Sequence, residues 1–200
     1  MKGILLLNGE PYAGTIAKDG LVFCCDGGYD WAKDKIAIDE NVGDFDSLSY
    51  EPRPKPLEIY PSEKNFTDGE IALFKLIERG VEEIEIYGGG GKREDHFLGN
   101  LHLLYAAFLK GVKATLVNND CTITIATGRV SLMGKKGKTI SLLPFGGDAL
   151  VSHSWGLKYP LEGLPLPYGA CRGISNVALS DDAGVSVERG VLLVIVNKGE

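Results

Sequence analysis

Apolar and polar positions in the first 120 residues alternate between two rhythms. Short unbroken apolar runs, Gly3–Leu7 and Leu21–Cys25, read as buried strands, and each stops at a turn signal, Asn8-Gly9 and Asp26-Gly27-Gly28. A Pro-rich stretch from Pro52 to Pro56 precedes a further strand-like run, Leu57–Tyr60. Thr67-Asp68-Gly69-Glu70 then has the S/T-x-x-E spacing of a capping box, with Thr67 as N-cap and Glu70 at N3. Ile71, Phe74 and Ile77 follow at helical spacing, and Arg79-Gly80 stops the helix. Next come a strand over Ile84–Tyr87, the glycine run Gly88–Gly91 and a second helix from about Glu94. Leu98, Leu101, Tyr105 and Phe108 form the apolar stripe of that helix, and Gly111 ends it. Ala114–Asn118 predicts one more strand.

Beyond residue 120 helical periodicity is lost. Short β-rich runs recur at Thr122–Ala126, Thr139–Leu143, Ser186–Glu188 and Val191–Val196, punctuated by Gly, Pro and Asp. The pattern predicts α/β over residues 1–120, a Rossmann-like, mostly parallel sheet with flanking helices, and all-β over 121–200, a sandwich or small barrel.

Composition narrows the function classes. At 44% apolar and 24% charged the chain is an ordinary globular one, with 27 glycines suited to tight turns and close backbone approaches. The net charge of −6 is uneven: residues 1–120 hold 13 Lys and Arg against 21 Asp and Glu, residues 121–200 hold 8 against 6. An acidic first half argues against nucleic acid and suits a chain that holds metal cations. The apolar run Ile4–Leu7 is too short for a signal peptide core or a membrane span. Cys24, Cys25, Cys121 and Cys171 form neither a C-x-x-C pair nor a disulfide framework. They are expected to be buried thiols of a reducing compartment, hence a cytoplasmic protein with no membrane partner.

In an open α/β sheet, ligands bind where loops converge beyond the carboxyl ends of the strands. Four loops in that position carry acid or glycine: Asp26-Gly27-Gly28, Gly43-Asp44-Phe45-Asp46-Ser47, Thr67-Asp68, and Gly88–Asp95 with His96. Asp44 and Asp46 can aim carboxylate oxygens at one Mg²⁺ shared with substrate phosphates, or can serve only as turn-formers. Asp68, at the start of a helix, suits the dipole with or without a ligand. If it converges on Asp44 and Asp46, the crowded charge calls for a cation between them. Gly88–Gly91 with Lys92 and Arg93 can present N–H groups and a guanidinium fork to phosphate. The run fits neither a Walker A loop nor a dinucleotide fingerprint, and the bland alternative is a flexible turn with Asp95 and His96 capping the helix. No G-x-S-x-G elbow and no zinc-ligand spacing is present. The remaining kit of acid, glycine and Arg suits a Mg-nucleotide.

Taken in order, Asp26-Gly27-Gly28, Gly43–Leu48, Thr67-Asp68, Gly91–His96 with Asn100-Leu101, Gly156–Leu161 and Gly173–Asn176 resemble the successive motifs of the thiamine pyrophosphokinase family. The resemblance implies an N-terminal catalytic α/β domain, a C-terminal thiamine-binding β-sandwich, and a homodimer with substrate bound between subunits. It implies transfer of the diphosphate of ATP to the hydroxyl of thiamine, giving thiamine diphosphate and AMP. Carried over, Asp44, Asp46 and Asp68 become Mg²⁺ and phosphate-site acids, and Arg93 and Asp95 belong to the nucleotide-proximal motif. Asp26, Gly27, Gly90, Gly91, His96 and Asn100 fall in the nucleotide-binding segments, and Tyr159, Ser175 and Asn176 in the thiamine-binding ones. The family often has Lys-Asp-x-Thr-Asp, whereas Lys64-Asn65-Phe66-Thr67-Asp68 lacks the first acid; Glu94 takes a usually apolar place, and Tyr159 stands where many members have Trp. The rivals are a pyrophosphokinase for another hydroxylated heterocycle, such as a hydroxymethyl pterin, and a non-catalytic thiamine or nucleotide sensor.

Overall fold

Five parallel strands make the frame of the first compact unit, Met1–Asn119, in a computed structural model that describes residues 1–45, 48, 50–55 and 65–199. They are β1 (Lys2–Leu6), β2 (Leu21–Cys25), β3 (Glu40–Val42), β4 (Glu83–Tyr87) and β5 (Lys113–Val117), in spatial order β5-β4-β1-β2-β3. All pairings are parallel. β1 and β2 are buried on both faces, as their unbroken apolar sequences require, whereas β4 alternates with Glu83 exposed and Ile84 and Ile86 buried. The expected strand Leu57–Tyr60 lies outside the described residues.

Three helices among the described residues cover the two faces. α1 (Gly28–Ala32) packs with Tyr29 and Ala32 against Ile4, Leu6, Val22 and Cys24. α2 (Asp68–Glu78) and α3 (Glu94–Leu109) take the opposite face, where Leu5 and Phe23 point by strand parity. Gly3 marks how closely α2 approaches: a Cβ there would lie 3.2 Å from Leu76. The capping box of α2 is complete, with Thr67 Oγ1 accepting the Glu70 N–H at 3.2 Å and Glu70 Oε2 accepting the Thr67 N–H at 2.8 Å. At its other end Lys75 and Arg79 reach Glu40 of β3.

α3 corrects the predicted stripe. Leu98 is 58% exposed, and the buried residues are Leu101, Leu103, Leu104 and Ala107. Leu98, Leu101, Tyr105 and Phe108 do share one helical face, but the face that meets the sheet is turned from it toward Leu104 and Ala107.

The second unit, Asp120–Glu200, contains β6 (Cys121–Ser131), β7 (Thr139–Pro144), β8 (Ala149–Trp155), β9 (Leu164–Leu166), β10 (Asn176–Val177) and β11 (Gly184–Asn197). All its pairings are antiparallel. The runs 186–188 and 191–196, expected as two strands, are one. The register between β11 and β6 shifts between Val187 and Leu192, where Gly190 at φ 81° permits the bulge. Before the bulge β11 pairs with β8, and after it with β7, while β6 accompanies it throughout. One apolar cluster, including Ile140, Leu142, Val151, Val185 and Leu192, draws on both halves. Cys24, Cys25 and Cys121 are buried as expected; Cys171 is exposed, because it sits in a turn-rich segment rather than on a strand.

Candidate functional site

Strand order reverses on either side of β1: the chain runs outward through β2 and β3, then returns to place β4 on the other flank. Crevices open at such a switch point, beyond the carboxyl ends of the strands. Here a cleft of about 880 Å³ is lined by the loops after β1, β2, β3 and β4 and by the N-terminal turns of α2 and α3. The loop after β1 was legible only as a turn. In the structure Asn8 and Gly9 line the cleft, and the Gly9 and Glu10 N–H groups donate to the Gly88 and Gly90 carbonyls at 2.7 Å each.

The glycine run is therefore tied rather than loose. Asn100 of α3 adds a bond from Nδ2 to the Gly89 carbonyl at 2.7 Å, and Gly91 abuts Glu10, whose Cβ would be 2.5 Å from any Cβ at position 91. Gly90 and Asn100 line the cleft, and Lys92 reaches Asn8 Oδ1 at 3.4 Å. Gly27 is the N-cap of α1 and lies against the Asn8 side chain.

Five of the described carboxylates line the same cleft, Glu70 and Asp95 on its helical side and Asp26, Asp44 and Asp68 besides. Asp26 holds a left-handed backbone at φ 42° directly after β2, and its Oδ1 accepts the Phe45 N–H at 3.3 Å. Gly43, at φ 150°, lets that carboxylate lie close, since a Cβ at position 43 would sit 1.8 Å from Asp26 Oδ1. Burial, then the neighbouring Asp68 carboxyl, then the Asp44 charge push Asp26 up to about 7, against the lowering pull of the Phe45 N–H. Asp46 lies outside the described residues. Among the described residues no three His, Cys, Asp or Glu side chains form a metal cluster by themselves. The donor chemistry nonetheless fits Mg²⁺: hard carboxylate oxygens on one polar cleft, a mutual repulsion that a cation relieves, and room for phosphates to complete the shell.

Arg93 and Asp95 face the cleft together as a fork, Nε to Oδ1 at 3.0 Å and Nη2 to Oδ2 at 2.5 Å. That fork, with the His96 N–H also donating to Oδ1, holds Asp95 down to about 2. Asp95 is at N2 of α3, whose N-cap is Arg93, and its oxygens serve the Arg93 guanidinium and the N–H of His96 at N3. His96 lines the cleft, as do Phe66, His102 and Leu103, which sequence reasoning did not single out. Their signal was only helical spacing from His96 and the position before the capping box.

In the second unit Tyr159, Ser175 and Asn176 gather near β10. Tyr159 is 53% exposed, on the bend after β8 rather than on a strand. Asn176 is buried and spends its amide on the Tyr159 backbone, accepting its N–H at 3.0 Å and donating to its carbonyl at 2.7 Å. Ser175, at φ 58°, donates its N–H to Ser141 Oγ at 3.2 Å.

Residues 12–116 match the family described as "Thiamin pyrophosphokinase, catalytic domain", and residues 120–192 match "Thiamin pyrophosphokinase, vitamin B1 binding domain". A thiamine pyrophosphokinase of Bacillus subtilis (strain 168) is 32% identical over 164 residues, spanning 78% of this chain and 77% of the relative. The crystal structure of thiamine pyrophosphokinase from Bacillus subtilis superposes with TM-score 0.86 at 28% identity, covering 99% of this chain and 100% of that one. Thiamin pyrophosphokinase from Candida albicans shares the fold at TM-score 0.76 and 17% identity, over 98% of this chain and 88% of its own.

Proposed function

The chain belongs to the thiamin pyrophosphokinase family, and from that premise we propose how its cleft carries out the transfer of diphosphate from ATP to thiamine. The thiamine hydroxyl oxygen attacks the β-phosphorus of ATP, the bond from that phosphorus to the α-phosphate oxygen breaks, and AMP leaves. The nucleophile is the substrate's own alcohol, so the reaction requires no activated Ser or Cys. Such a transfer depends on positioning and charge neutralisation.

Each residue then has a task. The N–H groups of the tied glycine loop and the Arg93 guanidinium hold phosphate oxygens, and Asp95 keeps Arg93 aligned through its fork. Asp44, Asp46 and Asp68 would hold Mg²⁺, and bound Mg²⁺ would neutralise the phosphate charge during transfer. Asp68 is the better carboxylate to orient the alcohol, because both Asp95 oxygens are engaged by Arg93. Asp26 anchors the Asp44 loop through the Phe45 N–H, and Gly27, His96 and Asn100 complete the nucleotide end. Exposed Tyr159 offers a face for the thiamine rings, supported by Ser175 and Asn176. We read residues 1–120 as the catalytic domain, 121–200 as a thiamine-binding β-sandwich, and the working form as a cytoplasmic homodimer with substrate bound between subunits. No helix among the described residues is long and apolar enough to cross a membrane.

The observation that carries the reading is the meeting of Asp26, Asp44, Asp68 and Arg93 on one cleft at the switch point. The test mixes protein, ATP, Mg²⁺ and thiamine and follows AMP and thiamine diphosphate together. Matched appearance of both, abolished by Asp44→Ala, is expected; AMP without thiamine diphosphate would move the acceptor to another heterocycle.

A further inference from the structure

The segment that carries Asp44 leaves β3 at Gly43 and is fastened again further on by side chains of α1 and β3. Tyr50 is the centre of that second fastening. Its hydroxyl donates to Asp30 Oδ1 and accepts from Lys33 Nζ at 2.7 Å, both from α1 and its C-cap. Lys33 Nζ also lies 4.6 Å from the Tyr50 ring centroid, and the Tyr50 ring meets the Tyr29 ring at 6.1 Å and 59°. Tyr29, buried in the sheet's apolar cluster, accepts the Arg53 N–H on its hydroxyl at 3.0 Å, and Asn41 Nδ2 donates to the Pro54 carbonyl at 2.7 Å. Between the two fastenings Leu48 packs on the same apolar cluster. Nearer the strand, Asp26 receives the Phe45 N–H.

We propose that Tyr50, gripped by Asp30 and Lys33, is a positioning residue that holds the Asp44 loop to α1. α1 begins two residues after Asp26, so the helix that grips the far end of the loop follows directly on the carboxylate that grips its near end. Asp44 is thereby placed relative to Asp26 and Asp68 by two points of attachment rather than one. Tyr50 touches no reacting group itself. This holds only if Asp44 works at the reacting phosphates as proposed above. A carboxylate displaced by an ångström costs phosphoryl-type transfer far more than it costs substrate binding.

Tyr50→Phe removes both hydroxyl bonds and keeps the ring. Lys55→Ala, which breaks only the exposed Lys55–Glu51 pair on the same loop, is the control. Three readouts are needed: amide hydrogen exchange of the peptide over residues 43–50, Mn²⁺ binding to the nucleotide-free protein by calorimetry, and steady-state kinetics. For Tyr50→Phe we expect exchange of that peptide to quicken about 10-fold, Mn²⁺ binding to weaken several-fold, and kcat to fall about 10-fold with the thiamine KM unchanged. Tyr29→Phe with Tyr50→Phe should deepen all three, and Lys55→Ala should move none.

A fall in melting temperature with unchanged exchange and unchanged kcat would overturn the proposal, leaving Tyr50 merely structural. Faster exchange with neither Mn²⁺ affinity nor kcat altered would overturn it too. If the wild-type chain forms no thiamine diphosphate, the functional reading fails. The exchange and Mn²⁺ measurements then still decide whether Tyr50 places the loop.

Discussion

The side chain of Asn176 closes two hydrogen bonds onto the backbone of Tyr159, one to its N–H at 3.0 Å and one to its carbonyl at 2.7 Å. A third, from the Val177 N–H to the same Oδ1 at 2.8 Å, completes its pairing. Asn176 is 1% exposed, so these groups have no water to fall back on. Asn176→Ala should cost about 1–3 kcal/mol, the penalty for orphaned buried polar groups. With the Tyr159 bend released, the thiamine KM should rise and the ATP KM should not. Denaturant unfolding and two-substrate kinetics on the same variant check both halves.

Glu40 is a buried carboxylate at 4% exposure that meets Lys75 Nζ at 2.9 Å and Arg79 Nη2 at 3.0 Å. Both cations lie on the last turn of α2 or its cap, whose first residue is Asp68. Glu40→Ala should destabilise the first unit by about 1–2 kcal/mol, since the cations it leaves, Lys75 and Arg79, are 24% and 50% exposed and can turn to water. Lys75→Ala should cost less, because Arg79 still balances the charge. Chemical denaturation of the two variants in parallel should rank them in that order.

Gly43→Ala puts a methyl where Asp26 Oδ1 lies 1.8 Å away, on a backbone that disfavours any side chain. Asp26 must swing off the Phe45 N–H, and the Asp44 loop must move with it. The turnover number should drop by about 100-fold, with thiamine binding by calorimetry unaffected.

Asp39 supplies a pH test. Burial pushes its carboxyl up, but the Lys18 ammonium at 2.8 Å and the Val22 N–H at 2.9 Å outweigh that and hold it below its ordinary 3.8. A carboxylate whose folded pKa is lowered adds stability above the unfolded value and loses it as pH falls through the folded one. Stability should therefore decline as pH drops from 3.8 downward, and Asp39→Asn should flatten that part of the acid limb. Melting temperatures at pH 5 and pH 3, roughly either side of the ordinary carboxylate range, measure it.

What the sequence disclosed was local. The capping box at Thr67 was legible because its two bonds lie within four residues, and β1 and β2 because burial on both faces leaves an unbroken apolar run. α1 was not, since five residues after Asp26-Gly27 look like the end of a turn. β11 read as two strands because Glu188-Arg189-Gly190 resembles a hairpin turn, while its continuity is set by partners far along the chain. The candidate acids could each be named from the sequence. The meeting of Asp26 and Asp68 on one cleft could not, because one follows a strand and the other opens a helix on a different stretch of chain. Nor could the Tyr50 fastening, whose partners sit on a helix that local pattern did not reveal.

The bent strand β11 has an outcome for the order in which the chain acquires structure during synthesis. Strands β1 to β5 find their mutual partners within residues 2–117, so the first sheet can assemble once those residues have emerged. In the second unit β7 and β8 are joined through β11, which follows both of them in the chain. Strands β6, β7 and β8 must wait, unpaired on that side, until β11 itself has left the ribosome. A nascent polypeptide stalled just short of Leu192 would expose the edges of β6 and β7 and be the species most in need of a chaperone.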